Sequence, residues 1–212
     1  MTPVEAATVL DLGTPSGPAR VHLAPVADPV AAMLLGHGAG GSVTAPDLVA
    51  AAESARHSRI TVAFVEQPYR VAGRRSPPRA DTLDAAWNAV VAHLVGGALG
   101  DLPLIVGGRS SGARVACRTA EATGAVGVIC LAFPLVPPQR KGSTAAASTR
   151  QPELDGVSVP VLVVQGERDR FGMPRSDGSR KVVAVAGDHG LKSDLEGVAS
   201  AVRDWLPGVL RG

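Results

Sequence analysis

The chain of 212 residues predicts an α/β domain: a mostly parallel central sheet, an antiparallel hairpin at its start, and helices on both faces. Three observations carry that expectation. From residue 30 onward, short apolar and β-branched runs alternate with segments of helical periodicity. Each apolar run ends in a glycine-rich or polar cluster, and two short strand-like runs joined by turn-forming residues precede the series. Such alternation buries a mostly parallel sheet between helices, with right-handed crossovers. Hydrophobic residues make up 45% and charged residues 19% of the chain, which suits a folded core and excludes disorder as the main state. The length suits a single domain, 1–212. Aromatics are only 3%, so small aliphatic side chains must fill the core between closely approaching elements.

The elements follow in order. Ala6 to Leu12 and Arg20 to Leu23 read as two strands joined across TPSGP. Val30 to Leu35 is a continuous apolar strand ending in HGAGG, and Pro46 to His57 is an Ala-rich helix with Asp47 in its first turn. Ile60 to Val65 is the next strand, followed by an Arg- and Pro-rich loop. From Asp81, Leu83, Trp87, Val90, Val91, Leu94 and Val95 recur at helical spacing, and Gly96, Gly97 and Gly100 end the stripe. Leu102 to Val106 is a strand, GGRSSGAR a turn, and Ala113 to Ala120 a helix of small residues. Val126 to Leu131 is a further strand. Residues 133–158 hold Pro134, Pro137, Pro138 and GSTAAASTR, a surface excursion with short helical pieces and too short for a substantial lid domain. Val159 to Val164 and Lys181 to Ala186 are the last strands. Ser193 and Glu196 suggest a capping box for a final helix that carries Leu195, Val198, Val202 and Leu206 on one face.

Several function classes are disfavoured at once. Lys plus Arg number 21 against 19 Asp plus Glu, a balance too even for a nucleic-acid field, and aromatic platforms for bases are nearly absent. The start, MTPVEAATVLDLG, has neither a basic segment nor a cleavage-site pattern, and no apolar run is long enough for a spanning helix, so a cytoplasmic protein with no membrane partner is expected. Cys117 and Cys130 lack CxxC spacing and histidine partners, and read as buried free thiols. No metal and no cofactor are expected.

The chemistry concentrates at the strand ends. In an open parallel sheet ligands gather beyond the carboxyl ends of the strands, where HGAGG, GRSSG, GERD and GDHG all fall. Gly108, Ser110 and Gly112 form GxSxG between a strand and a helix, the setting in which a sharp turn lifts a serine hydroxyl clear of the sheet. Strained backbone at Ser110 is expected. The plain alternative is a glycine-rich turn with a serine N-cap. Serine is a poor nucleophile until a neutral imidazole takes its proton and a carboxylate holds the ring's tautomer. His189 and Asp169, after the last two strands, supply both in the order Ser, Asp, His. Asp188 reads as a loop-capping residue and Glu167 as a weaker rival for the acid. Ser111 offers its backbone N–H to a developing oxyanion, and the second donor is expected from Ala39 or, next, Gly40. His37 precedes the nucleophile and is expected to brace its turn through its ring nitrogens. His22, His57 and His93 read as ordinary strand, helix-end and helix-face residues. Arg109 and Arg70 are candidate substrate-binding cations, with Arg74, Arg75 and Arg79 beside Arg70. The alternative pairs Arg109 and Arg79 with structural carboxylates such as Glu66 or Asp81 and leaves the rest solvated.

These residues resemble the α/β-hydrolase superfamily over nearly the whole chain. The strings FVEQPYR, RRSPPR, GGRSSGAR, FPLVPP, VQGERDRFG and GDHGLK are similar to the compact subfamily of testis-expressed protein thirty and the KAT8 regulatory NSL complex subunit three, dienelactone-hydrolase-like in general plan. The resemblance implies the α/β-hydrolase fold and a Ser-His-Asp carboxylic ester hydrolase acting on a small-molecule ester or thioester. True dienelactone hydrolases use cysteine where this chain has Ser110, which puts their lactone substrate in doubt. Two other readings compete. Gly36, Gly38 and Gly41 satisfy GxGxxG after a strand, with Glu66 placed as a ribose-binding acid, the pattern of a dinucleotide-binding protein. A non-catalytic interaction module on the same scaffold is the other, since fold does not imply function. The hydrolase reading explains the glycines as well as Ser110, Asp169 and His189. The sequence leaves the oligomeric state open.

Overall fold

A computed structural model describes residues 1–137 and 148–211. Its elements run β1 (Thr8–Thr14), β2 (Gly17–Ala24), β3 (Ala31–Gly36), α1 (Pro46–His57), β4 (Ile60–Glu66), α2 (Pro68–Val71), α3 (Ala80–Val95), β5 (Leu104–Arg109), α4 (Ser111–Thr119), β6 (Gly127–Leu131), α5 (Gln151–Asp155), β7 (Val161–Gly166), β8 (Arg180–Val185) and α6 (Leu195–Val209). One eight-stranded sheet has the order β1-β2-β4-β3-β5-β6-β7-β8. The β1–β2 and β2–β4 pairings are antiparallel and all others parallel. The expected hairpin therefore extends the sheet at one edge, and the remaining strands all end at the same rim.

Alternation of side chains along the strands sorts the core into two layers. Leu34, Val106, Val128 and Val163 face Trp87, Val90 and Val115 of α3 and α4. Met33, Ile105, Ile129 and Leu162 face Leu48, Ala51, Val198 and Val202 of α1 and α6. Fully burying each Leu or Ile contributes about 1.5–3 kcal/mol. The chain order reverses direction across the sheet at β3, which has β4 on one side and β5 on the other. At that switch the ends of two neighbouring strands, Gly36 and Gly108, stand opposite each other.

The structure corrects several expected bounds. The hairpin strands run to a tighter turn, with Thr14 paired to Gly17. β5 and β7 lie further along the chain than expected and end on glycine or beyond it. The loop after β4 contains α2, which was not anticipated. The capping box at Ser193 does not form: Asp194 is the N-cap of α6 and its Oδ1 accepts from the Gly197 N–H at 2.8 Å. Of the excursion 133–158, α5 confirms a short helical piece, while residues 138–147 lie outside the described residues.

Candidate active site

Ser110 occupies the turn between β5 and α4 at φ 52°, ψ −104°, a left-handed conformation that costs a non-glycine residue roughly 1–3 kcal/mol. The expected strain is present. The turn is held by its own backbone, with the Ser110 N–H donating to the Leu131 carbonyl at 2.9 Å and its carbonyl accepting from Arg114 N–H at 3.3 Å. The flanking glycines are required by space. A Cβ on Gly108 would stand 2.5 Å from the Gly36 carbonyl oxygen, and one on Gly112 would stand closer still. Only without those side chains can helix α4 start this near to the end of β3.

Three residues separated widely in sequence meet at this rim. His189 Nε2 lies 3.0 Å from Ser110 Oγ, and His189 Nδ1 lies 2.8 Å from Asp169 Oδ2. The Asp169 side chain is 1% exposed and that of His189 20%, so the carboxylate is dry while the imidazole is partly open to solvent. With Nδ1–H donating to Asp169, Nε2 is left as an acceptor for the serine hydroxyl, the tautomer a general base needs. Asp169 Oδ1 accepts the Phe171 N–H at 2.9 Å, and Oδ2 also accepts Gln165 Nε2 at 2.8 Å. The Phe171 ring stands edge-on to the imidazole, centroids 4.5 Å apart, with the Arg170 guanidinium over its outer side at 4.8 Å. Asp188 caps its loop as expected, accepting from Gly190 N–H at 2.8 Å. Glu167 is exposed beside the same loop.

The turn after β3 lies beside Ser110. Gly41 N–H closes it on the Gly38 carbonyl at 3.0 Å. Gly40 has φ 62°, and Ala39 is exposed at the tip. Ser111 is the first residue of α4, so its N–H has no partner within the helix. His37 braces the turn as expected. Its Nδ1 meets the Gly38 carbonyl at 2.9 Å and its Nε2 accepts the Gln67 N–H at 3.1 Å. Burial holds the proton affinity of His37 below the ordinary histidine range, which agrees with a neutral ring that donates at one nitrogen and accepts at the other.

Arg109 has a different partner from either carboxylate named by sequence. Its Nε lies 2.9 Å from Asp47 Oδ2, and its Nη2 donates to the His189 carbonyl at 2.9 Å. Asp47 is fully buried, and that burial raises its carboxyl above the ordinary range against the opposing pull of Arg109. The pair ties the start of α1, the end of β5 and the His189 loop together. Arg79 does lie near Asp81, at 3.8 Å, with both side chains exposed. Glu66 is taken by His22 at 2.6 Å, so the acid required by the dinucleotide reading is committed to β2. His57 Nδ1 meets the Glu53 carbonyl at 2.8 Å at its helix end, and His93 is exposed on α3. Arg70 donates to the Arg74 carbonyl at 3.0 Å, and Arg74 and Arg75 are exposed. The Arg75 carbonyl would lie 3.4 Å from a Cβ on Gly40, which sets this arginine loop alongside the turn after β3. Cys117 and Cys130 are buried and free, with sulfurs 3.4 Å apart.

Sequence reasoning missed Gln165, Phe171 and the buried role of Asp47. A signal existed for the first, the single amide in the apolar run VLVVQG. Among the described residues no cluster of His, Cys, Asp and Glu is suited to hold a metal ion, and no helix is long and apolar enough to cross a membrane.

Residues 29–196 match the family model described as "Alpha/beta hydrolase domain". No curated protein sequence matches the chain. Among solved structures, XC6422 from Xanthomonas campestris, described as an a/b serine hydrolase without lid, superposes with a TM-score of 0.74 at 20% identity, covering 95% of this chain and 94% of that one. Est1E from Butyrivibrio proteoclasticus gives 0.76 at 16% identity, over 96% and 99% of the two chains. A dienelactone hydrolase from Anabaena variabilis gives 0.72 at 14% identity, over 95% and 97%.

Proposed function

The chain belongs to the alpha/beta hydrolase domain family, and on that premise we propose that it is a serine hydrolase cleaving a small carboxylic ester or thioester through an acyl-enzyme intermediate. The hydrogen-bonded series Ser110 Oγ, His189 Nε2, His189 Nδ1, Asp169 Oδ2, with links of 3.0 and 2.8 Å, carries the reading. Solved neighbours on the same fold support it, among them the serine hydrolase XC6422 and Est1E with bound ferulic acid. Within the family we place the chain nearest the compact subfamily of testis-expressed protein thirty, on the strings quoted above, and we read it as a cytoplasmic enzyme that needs neither metal nor cofactor.

Ser110 Oγ attacks the acyl carbon while its proton passes to His189 Nε2, and Asp169 stabilises the imidazolium through Nδ1–H. The oxyanion takes the backbone N–H of Ser111 together with that of Ala39 or, next, Gly40 in the turn after β3. Collapse of the tetrahedral intermediate expels the alkoxide or thiolate, which leaves with the proton from Nε2. Water then loses a proton to Nε2 as it attacks the acyl-enzyme, and the second collapse returns that proton to Ser110 Oγ and frees the carboxylic acid. Arg109 serves as a strut between Asp47 and the His189 loop, and Arg70 with Arg74 and Arg75 forms the cationic rim of the cleft.

A fluorophosphonate probe followed by peptide mapping tests the reading. Labelling at Ser110 that disappears in Ser110→Ala and in His189→Ala is the expected result. A wild-type protein that takes no label and hydrolyses no p-nitrophenyl or thioester substrate refutes it and favours a non-catalytic scaffold.

A further inference from the structure

We propose that Gln165 is the positioning residue of this site: it fixes Asp169 as the acceptor for His189 and locks two loops of the cleft to the same point. The inference rests on the serine hydrolase reading above. Gln165 is fully buried on β7, in line with Val161 and Val163 on the α3 and α4 side of the sheet. An amide in that row forgoes the stabilisation a further aliphatic side chain would bring, so it needs a compensating role. Its Nε2 stands 2.8 Å from Asp169 Oδ2, 3.0 Å from the Phe133 carbonyl and 2.9 Å from the Gly172 carbonyl. Two N–H groups thus serve three acceptors, and all three repel an amide oxygen. The orientation of the carboxamide is therefore determined by its surroundings, and it leaves Oε1 buried without a partner among the described residues.

The geometry accounts for the choice of glutamine. Asp169 Oδ2 receives the imidazole N–H and the Gln165 N–H together, so a neutral donor orients the carboxylate in a dry place without competing with His189 for its charge. The Phe133 carbonyl belongs to the loop after β6 and the Gly172 carbonyl to the loop after β7, whose Phe171 backs the imidazole. One amide therefore sets the position of Asp169 and of the wall behind His189. Loss of the N–H leaves the Asp169 carboxylate less neutralised, so the imidazolium opposite it is favoured and the base is protonated at higher pH. The other charged groups around His189 stay unchanged: the Asp47–Arg109 pair under its carbonyl, Asp188 and Lys192 on its own loop, and Glu167, Arg168 and Arg170 on the β7 loop.

The test compares wild type with Gln165→Met and Gln165→Leu, both apolar, close in volume and lacking the donor. His189 is followed by NMR titration of its ring, and the pH profile of kcat/KM is measured on a p-nitrophenyl ester. The titration midpoint of His189 and the acid limb are expected to rise in both variants. At neutral pH kcat is expected to fall by up to about a hundredfold with KM changed by no more than roughly twofold. Gln165→Leu decides the matter if the methionine variant does not fold. A midpoint that stays in place or falls in the folded variants overturns the proposal, whatever happens to turnover. Failure of the hydrolase reading is visible separately, as a wild type that neither takes a fluorophosphonate label nor hydrolyses ester.

Discussion

Replacing Arg109 by methionine isolates the buried ion pair. The Asp47 side chain is 0% exposed and that of Arg109 20%, so Arg109→Met leaves a carboxylate in a dry site and also takes a donor from the His189 carbonyl. Breaking a buried pair at one partner costs about 3–5 kcal/mol, and for a chain of this size each kcal/mol lowers Tm by about 2–4 °C, giving a loss of roughly 6–20 °C at pH 7. The pH dependence has a definite sign. Burial raises the carboxyl of Asp47 in the folded state, so the folded protein binds this proton more tightly than the unfolded chain does. The contribution of Asp47 to stability is then most favourable at low pH and declines as pH rises from the ordinary carboxylate value through the folded one. Removing Arg109 raises the folded value further, widens that window upward and makes the deficit of the variant shrink on acidification. Urea unfolding of wild type, Arg109→Met and the double variant Asp47→Asn, Arg109→Met at pH 7 and pH 5 measures this. The single variant is expected to be least stable at pH 7, to recover part of the loss at pH 5, and to be improved by the second substitution. A loss under about 1 kcal/mol, or one that does not change with pH, would falsify the account of Arg109 as a strut and return it to the cleft as a substrate contact.

Other outcomes follow from the same geometry. Gly108→Ala places its new carbon 2.5 Å from the Gly36 carbonyl oxygen, so it is expected to lower Tm and abolish fluorophosphonate labelling together; normal labelling contradicts the packing argument. Ala39→Pro removes one oxyanion donor and is expected to lower kcat by about a hundredfold to a thousandfold, and steady-state kinetics with an unchanged Tm separates this from misfolding. His37 is buried and its proton affinity depressed, so its contribution to stability is present above the ordinary histidine value near 6.5 and is lost as pH falls through the lower folded one. His37→Gln is expected to be less stable at neutral pH yet to show a shallower acid slope by urea unfolding. The Cys130 thiol is pushed up by its contact with Cys117 and by burial, and native protein is expected to release no thionitrobenzoate from a disulfide reagent until denatured.

Much of this was legible in the sequence because periodicity reports burial directly. Helix α1 has the expected bounds, Pro46 to His57, where the Ala-rich stripe faces the sheet and Pro46 marks the first turn. β5 was misplaced for an instructive reason. Gly107 and Gly108 read as a turn, since glycine weakens strands, yet both lie in the ladder opposite Ile129 and Cys130. A Cβ on Gly107 would stand 2.5 Å from the Ile129 carbonyl oxygen, so closeness of the neighbouring strand, and not a turn, selects glycine there. Ser110, His189 and Asp169 could be named from chain order and strand-end placement, which topology converts into proximity. The partner of Arg109 could not. Asp47 carries the ordinary signature of a helix's first turn, and only the crossing of α1 over the end of β5 brings the two charges together.

That contrast bears on how the site keeps its geometry. Ser110 and His189 sit on turns that the sheet alone does not hold to within hydrogen-bond distance, and the left-handed backbone of Ser110 favours relaxation away from the cleft. What opposes relaxation is polar and buried: the Asp47–Arg109 pair reaching the His189 carbonyl, and the Gln165 amide reaching Asp169, Phe133 and Gly172. In a dry environment each contact is costly to break, because the released group finds no water to replace its partner. A frame of this kind restrains direction as well as distance, which apolar packing does poorly. The two supports approach His189 from different sides, Arg109 through its backbone and Gln165 through the acceptor of its ring. Their effects on turnover should therefore be more than additive, since either one alone still limits the imidazole's motion toward or away from Ser110 Oγ. A double-mutant cycle on kcat with Arg109→Met and Gln165→Met checks this, and strict additivity would show that the two supports act on independent degrees of freedom.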